Sequence, residues 1–429
     1  MGGSKKKNIE DMVAYHLCLG CGICENACPS QAITMTVQRH EYRPVVDRSR
    51  CKPGAECGLC HAVCPGGEIA TRTIAAGIFP EGHEDALLGR YVGLHTGHST
   101  NEQVRFHSGS GGVLSSLLCW LLETGQIQGA LVTRFRHDAP TEPLAVVART
   151  PQEVLAARSS KCCPVQFSKV LREIEQAPGQ YAVVGMPCHL HGIRKLEIRR
   201  PGLRRKIAWH FGLLCSTTRN FAGTEYVLQS MGVRTPEVGG LSYRDEGRMG
   251  SLIVTTKDGS RHQRPYKQYY PSMRSFFTPF RCTLCHDFFA ELADMAVGDI
   301  QVPAFAQDKI GINSVITRSR RAEELLERAA EAGVLTTAPL ERASLVQSQC
   351  PTLLIKKKQV PIRLKVFKLL GKRMPQYDAA FPQATWPNVI RTLRNMAVLY
   401  GEGYVGKHRR LWGVIDWLNA RQGLPHRTP

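Results

Sequence analysis

The apolar positions come in short blocks separated by turn residues. Val113 to Leu122 is almost unbroken, carrying only two serines, and Gly125 follows. That pattern predicts a helix over Val113–Glu123 with a glycine stop. Gly129-Ala-Leu-Val-Thr133 and Tyr181-Ala-Val-Val-Gly185 are short apolar runs of buried-strand type, and Ile207–Leu214 is another apolar run. Thr150-Pro-Gln-Glu153 is a capping box with proline at the first helical position. Helices are expected over Phe167–Glu175, after Pro187, and over Arg321–Ala332. Leu252–Thr256 followed by Lys257-Asp-Gly-Ser260 reads as a strand and hairpin turn. Ser314–Thr317 is strand-like, and Gln31–Val37 alternates like a short strand. Strands interleaved with helices predict a mixed α/β domain. Near the C-terminus, Val389, Ile390, Leu393, Met396, Ala397 and Tyr400 fall at helical spacing.

With 429 residues and 43% hydrophobic content, the chain suits two or three domains and is not wholly disordered. No run of about 18 uncharged apolar residues occurs, so no transmembrane helix is expected. Met1-Gly-Gly-Ser-Lys-Lys-Lys7 lacks the apolar core of a secretory signal. A cytoplasmic, reducing location follows as the expectation, peripheral contact with the inner face of the membrane included. There, abundant cysteine points to metal or redox chemistry. Eight of the 16 cysteines lie between Cys18 and Cys64. The net charge of +20 is also uneven: residues 351–429 hold 15 Lys or Arg against three acids. These asymmetries divide the chain into a cysteine-rich head (1–75), a linker (76–100), an α/β domain (101–345) and a basic helical tail (346–429).

The head carries Cys18-x2-Cys21-x2-Cys24-x3-Cys28-Pro29 and Cys51-x5-Cys57-x2-Cys60-x3-Cys64-Pro65. Three closely spaced thiolates wrap one face of an iron–sulfur cubane, and Gly20, Gly22 and Gly58 let backbone amides approach its sulfides. Zinc sites more often use two separated pairs. Residues 10–70 resemble bacterial-type two-cluster ferredoxins, implying an α+β head. In that group the fourth cysteine of each run serves the other cluster. The resemblance therefore implies one 4Fe–4S cluster on Cys18, Cys21, Cys24 and Cys64, and a second on Cys51, Cys57, Cys60 and Cys28. The longer spacing after Cys51 departs from the pattern and makes Lys52–Glu56 an inserted loop.

Five fragments of the α/β domain carry further chemistry. Ser108-Gly109-Ser110-Gly111-Gly112-Val113 opens a helix, where free amides and the helix dipole favour phosphate, although a plain flexible turn fits equally. Ser160-Lys161 offers a cation to a cofactor, or a surface lysine. Cys188 follows a strand at Gly185-Met-Pro-Cys188-His189, Cys215 ends an apolar run, and Cys282-x2-Cys285 is a close pair. Strand ends of α/β sheets are where ligands bind. Cys188, Cys215, Cys282 and Cys285 together suit a third cluster; zinc and a resolving disulfide stay open. Cys119 and Cys163 fit the core, and Cys350 suggests nothing. His107, His189 and His191 fit either proton donors or structural residues.

The ordered set of Ser-Gly-Gly before a helix, Ser-Lys, Gly-x-Pro-Cys, strand-end Cys, Cys-x-x-Cys and Gly-Asp-Ile resembles the coenzyme F-420 hydrogenase/dehydrogenase beta-subunit family over about residues 85–340. The resemblance implies a flavin domain with FAD near Ser108–Val113 and Ser160-Lys161, beside iron–sulfur clusters. The head makes the whole most like deazaflavin-oxidising input subunits. Two departures stand near the implied flavin: Cys162 where the family often has Tyr, and His189 where it often has Gln. The implied activity is a flavin- and iron–sulfur-dependent oxidoreductase that moves electrons between a deazaflavin (coenzyme F-420 type) at FAD and one-electron carriers. The alternatives are a ferredoxin-dependent reductase of an organic substrate and a non-catalytic electron relay. A redox partner such as ferredoxin, or a larger redox complex, is expected.

The tail has three readings: a membrane-surface helix, a helix docked on the catalytic domain, and a landing site for an acidic partner protein. Basic charge without a recognised module does not indicate nucleic acid.

Overall fold

The computed structural model describes residues 8–51, 57–379, 381 and 383–427. The inserted loop Lys52–Glu56 and the segment Met1–Lys7 lie outside the described residues. The central element is an eight-stranded mixed sheet. In spatial order its strands are Leu335–Pro339, Gly93–Ser99, Asn313–Thr317, Met295–Asp299, Ile207–Leu213, Tyr181–Gly185, Gly129–Phe135 and Pro143–Ala148. The four strands from Met295–Asp299 to Gly129–Phe135 run parallel; the outer pairings are antiparallel.

The two-residue strand period sorts side chains to the two faces. Ala130, Val132, Ala182, Phe211 and Val297 meet Val113, Leu117, Leu118 and Leu121 of helix Val113–Glu123, and Leu325, Leu326 and Ala329 of helix Arg320–Glu331. Leu131, Val183, Ala296 and Ile316 share the opposite core with Leu190, Ile193 and Leu196 of helix Pro187–Arg199. Thr150 forms the expected capping box with Glu153, with Pro151 at the helix start. A three-stranded antiparallel sheet, Val238–Asp245, Ser251–Thr256 and Arg261–Pro265, stands beside the main one.

The head forms helix Ile23–Ala27, hairpin Ile33–Gln38/Glu41–Val46 and helix Leu59–Ala62. It docks on helix Pro187–Arg199, where a Cβ on Gly192 would stand 2.8 Å from Ile23 Cγ1. Arg172 ties it down by donating to the carbonyls of Asn26 at 3.1 Å and Glu25 at 2.8 Å. Among the described residues, no helix is long and apolar enough to cross a membrane.

The 76–100 stretch is more than a linker. Gly93–Ser99 is an interior strand, paired on both sides. Its Gly and His content hides the strand period, and its ladder partners, strands Asn313–Thr317 and Leu335–Pro339, are more than 200 residues away. Met295–Asp299 also joins the sheet as a strand.

Candidate functional site

Two thiol sets form within the head. Burial, then Cys64 and Cys18, push the Cys21 thiol up. Burial, then Cys21, Cys18, Cys64 and Cys60, do the same at Cys24. On the other side, burial followed by Cys57 and Cys28 raises Cys51, and Cys60 also lies in the field of Cys57 and Cys28. Cys64 thus acts on Cys21 and Cys24, Cys28 acts on Cys51 and Cys60, and Cys60 also reaches Cys24. The fourth cysteine of each run stands with the other run. Buried thiols that raise one another's pKa become thiolates when a cation neutralises them. The local backbone suits sulfur ligands: the amides of Gly20, Ala32 and Gly66 donate to Cys18 Sγ (3.4 Å), Cys28 Sγ (3.3 Å) and Cys64 Sγ (3.3 Å). At Gly66 a Cβ would stand 2.3 Å from the Leu17 carbonyl, so this approach needs glycine. Cys51 and Cys57 are part-exposed, whereas the first set is buried.

A third set gathers at the carboxyl ends of the parallel strands. Cys188 is the second residue of the helix after Tyr181–Gly185, and Cys215 lies just beyond Ile207–Leu213. Cys282 and Cys285 lie in and just after the 3-10 turn Phe280–Leu284. Burial, then Cys215, Cys21, Cys282 and Cys285, push Cys188 up. Burial raises Cys215 to about 12, with Cys282 and Cys285 adding to it and Lys356 opposing. The structure thus brings all four together, and sets Cys21 of the head beside Cys188. Arg281 bridges the two centres: its Nη2 donates to the Pro65 carbonyl at 3.1 Å, and its buried Nη1 has no partner among the described residues. Among the described residues, no three or more Cys, His, Asp or Glu are gathered as closely as a single metal ion requires. The larger cubane needs its thiolates further apart.

Beside the third set opens a cavity of about 450 Å³. Ser108, Ser110, Gly112, Val113, Ser160 and Lys161 line it, together with Cys215. Gly109 and Gly111 stand behind the wall. A Cβ on Gly111 would be 2.5 Å from Asn313 Oδ1, and one on Gly109 2.5 Å from the Arg244 carbonyl. The amides of Gly111 and Val113, expected to be free for a phosphate, donate instead to Asn313 Oδ1 at 3.0 and 3.3 Å. Asn313 Nδ2 donates to Ser110 Oγ at 2.7 Å, so one side chain shapes the whole loop. Lys161 Nζ donates to the carbonyls of Ala157, Arg158 and Ser159 at 2.6–3.0 Å, closing the end of the preceding helix. Burial lowers its pKa to about 7.

On the opposite wall the sequence showed only Asp299, in the Gly-Asp-Ile motif; Arg244, Tyr266, Tyr270 and Arg219 went unread. Arg244 is held by both oxygens of Asp299 at 2.9 and 3.2 Å, and lies 4.9 Å over the Tyr266 ring. Tyr266 stacks on Tyr270 at 4.7 Å, and Arg219 covers Tyr270 at 4.7 Å. The buried Nε of Arg219 has no partner among the described residues. An aromatic pair between two guanidiniums, next to an orphaned donor, suits a planar ring system bearing anionic groups. A second cavity, about 580 Å³ and lined by Arg134, His137 and Arg158 among others, shares Arg158 to Lys161 with the first. Cys162 lines the first cavity and Cys163 is in the core.

Burial lowers His189 to about 4. Its Nε2 meets the Val165 carbonyl at 3.1 Å and its Nδ1 accepts from the Met186 amide at 3.4 Å. It is a neutral strut of the Cys188 turn rather than a proton donor. His107 pairs with Asp245 at 2.7 Å.

The tail is partly internal. Lys356, Lys357 and Arg363 are buried. Lys357 Nζ meets Glu291 Oε1 at 2.6 Å, and Arg363 donates to the Thr283 carbonyl at 2.9 Å. Phe367 and Met396 share the head's core with Ile9; Trp412 and Ile415 share another with Tyr226 and Phe277. The docked-helix reading describes this inner face. The outer face of helix Trp386–Lys407 exposes Trp386, Ile390, Leu393 and Tyr404.

Residues 94–172 match the N-terminal model, and residues 179–343 the C-terminal model, of the coenzyme F420 hydrogenase/dehydrogenase beta subunit. The chain belongs to this family. Residues 17–67 match the 4Fe-4S dicluster domain, which places both cysteine runs inside it. Family relatives include a subunit of the F(420)H(2) dehydrogenase of Methanosarcina mazei, 27% identical over 74% of this chain and 84% of the relative. The coenzyme F420 hydrogenase subunit beta of Methanothermobacter thermautotrophicus is 28% identical over 59% of this chain and 87% of its own length. A chain of the F420-reducing NiFe hydrogenase complex of Methanosarcina barkeri shares the fold, with a TM-score of 0.54 and 22% identity, covering 70% of this chain and 100% of that one. The family models end at residue 343, so the tail lies beyond them.

Proposed function

We propose that the chain is an oxidoreductase exchanging electrons between a two-electron substrate of the deazaflavin coenzyme type and one-electron carriers. FAD is assigned to the 450 Å³ cavity and 4Fe–4S clusters to the three thiol sets. One observation carries this reading: Cys215 belongs both to the cavity wall and to the third set, whose Cys188 neighbours Cys21 of the head. A flavin, when bound, supplies the interchange between two-electron and one-electron chemistry.

The chain's own residues give that chemistry a place. Tyr266 and Tyr270 offer a flat wall, and Arg244 and Arg219 offer charge to anionic groups. Asn313 holds the Ser108–Val113 loop in shape, and Lys161 fixes the opposite turn. The adjoining basic cleft suits an anionic portion of the substrate. Exit is assigned to the part-exposed Cys51 and Cys57, where a redox partner or a larger complex has access. Protein or anionic lipid is the candidate occupant of the tail's exposed apolar stripe.

The test is an absorption spectrum of anaerobically purified protein, followed by addition of the reduced deazaflavin coenzyme or of reduced ferredoxin. The proposal expects a flavin band that the deazaflavin bleaches. Bleaching by ferredoxin alone would establish the alternative, a ferredoxin-dependent reductase of an organic substrate. A spectrum without a flavin band would overturn the cofactor assignment.

A further inference from the structure

Residues Leu354–Gln359 form a π-helical turn, a rare geometry that occurs mostly as single turns and frequently at functional sites. The turn buries Lys356 to 3% exposure while leaving Lys358 outside. Lys356 Nζ donates to the Asp287 carbonyl at 2.9 Å. The same carbonyl accepts from Cys285 Sγ at 3.4 Å, which puts ammonium and sulfur side by side on one oxygen. The next carbonyl, of Phe288, takes the amide of Cys215 at 3.0 Å. Of the neighbouring cations, Lys357 is paired with the Glu291 carboxylate and Arg363 holds Thr283, while Arg281 reaches the Pro65 carbonyl and stands between the third set and the head. Lys356 donates to a neutral carbonyl, and the groups around its ammonium are the thiols of Cys285, Cys215 and Cys282 together with the Asp287 carboxylate.

Four thiolates around a cluster form an anionic centre whose reduction adds one electron and one further negative charge. A fixed positive charge within the protein interior favours that reduced form. We propose that Lys356 is the internal counter-charge of the third thiol set, raising the midpoint potential of a cluster held by Cys188, Cys215, Cys282 and Cys285. The C-terminal tail thereby sets the driving force at the centre next to the cavity, although it lies outside the family models. This rests on the assignment of a cluster to that set, and Lys356 acts through the thiolates as a positioning charge.

The experiment uses the full chain, reconstituted anaerobically, titrated with dithionite as electron donor and followed by EPR. Iron and sulfide are counted beside it. Lys356→Met is compared with Lys356→Arg and with the exposed control Lys358→Met. Lys356→Met is expected to lower the equilibrium constant for reduction of one cluster about tenfold, a shift of about 59 mV to more negative potential. Lys356→Arg restores most of it, and Lys358→Met leaves every potential in place. Should Lys356→Met lose one cluster's iron while Lys356→Arg retains both iron and potential, the role of the charge is likewise upheld. An unchanged potential in Lys356→Met at full iron content overturns the proposal, as does equal iron loss in the Met and Arg variants. A wild-type content of about eight iron atoms rather than about twelve defeats the three-cluster reading itself, which separates the two failures.

Discussion

The head and the third thiol set solve one electrostatic problem in two ways. In the head, the sequence that supplies the thiols also supplies their surroundings: Gly20 and Gly66 bring amides to Cys18 and Cys64 from two residues away. The third set is assembled from two strand ends and a 3-10 turn, and draws Lys356 from a tail beginning some sixty residues further on. A compact motif builds its own environment, and a distributed site borrows one. That difference predicts where damage stays local and where it spreads.

The largest effect falls on the distributed site. Cys282→Ser is expected to remove about a third of the iron and to slow transfer from the two-electron donor to a one-electron acceptor at least about 100-fold, with the head's cluster spectrum retained. Iron analysis with steady-state kinetics checks it; unchanged iron would dismiss Cys282 as a ligand. Next, Trp412 is fully buried and its indole donates to the Gly406 carbonyl at 3.0 Å. Trp412→Ala is expected to cost about 3–5 kcal/mol, read by denaturant unfolding. A cost below about 1 kcal/mol would return the tail to the status of a loose appendage.

In the head, Gly22 has φ +77°, and a Cβ there would lie 2.6 Å from the Ser168 amide nitrogen. Gly22→Ala is expected to cost about 1–3 kcal/mol and to loosen the head from the main domain, measurable as faster hydrogen exchange in helix Ile23–Ala27. Smaller still is a pH effect. His189 titrates at about 4 in the folded protein against 6.5 in the unfolded chain. The unfolded state therefore binds the extra proton first, and stability falls as pH drops from about 6.5 toward about 4. His189→Gln, which keeps a donor and an acceptor, should flatten that acid limb by up to about 1.4 kcal/mol per pH unit. An identical limb in the variant would show that His189 contributes none of it. Last, Trp386→Ser on the exposed stripe should change stability by less than about 0.5 kcal/mol while weakening sedimentation with anionic liposomes. If sedimentation is unchanged, lipid is removed as the occupant of that face.

The legible parts of the chain were those fixed by neighbours in sequence. Helix Val113–Glu123 and strand Tyr181–Gly185 lie where their apolar runs put them. The head thiols of the two runs lie near one another, and the four cysteines named for the third set are brought together. Strand Gly93–Ser99 was hidden because its glycines and histidines carry no period-two signal. The Gly111 and Val113 amides looked free because their partner, Asn313, is 200 residues distant. Lys356 looked like surface charge because burial of a lysine depends on what faces it, here a carbonyl 69 residues away beside thiolates. Arg244, Tyr266 and Tyr270 carry no motif; only the second sheet and its following helix bring them to the cavity.

The proposed electron route runs from the cavity through the third thiol set to the head. Freeze-quench EPR tests it most directly, on wild type and on Cys215→Ser, after mixing anaerobically with the reduced deazaflavin coenzyme. Head-cluster signals are expected to rise in wild type, and in the variant the flavin band still bleaches while those signals appear at least about 100-fold more slowly. Head clusters reduced at the same rate in both proteins would contradict it.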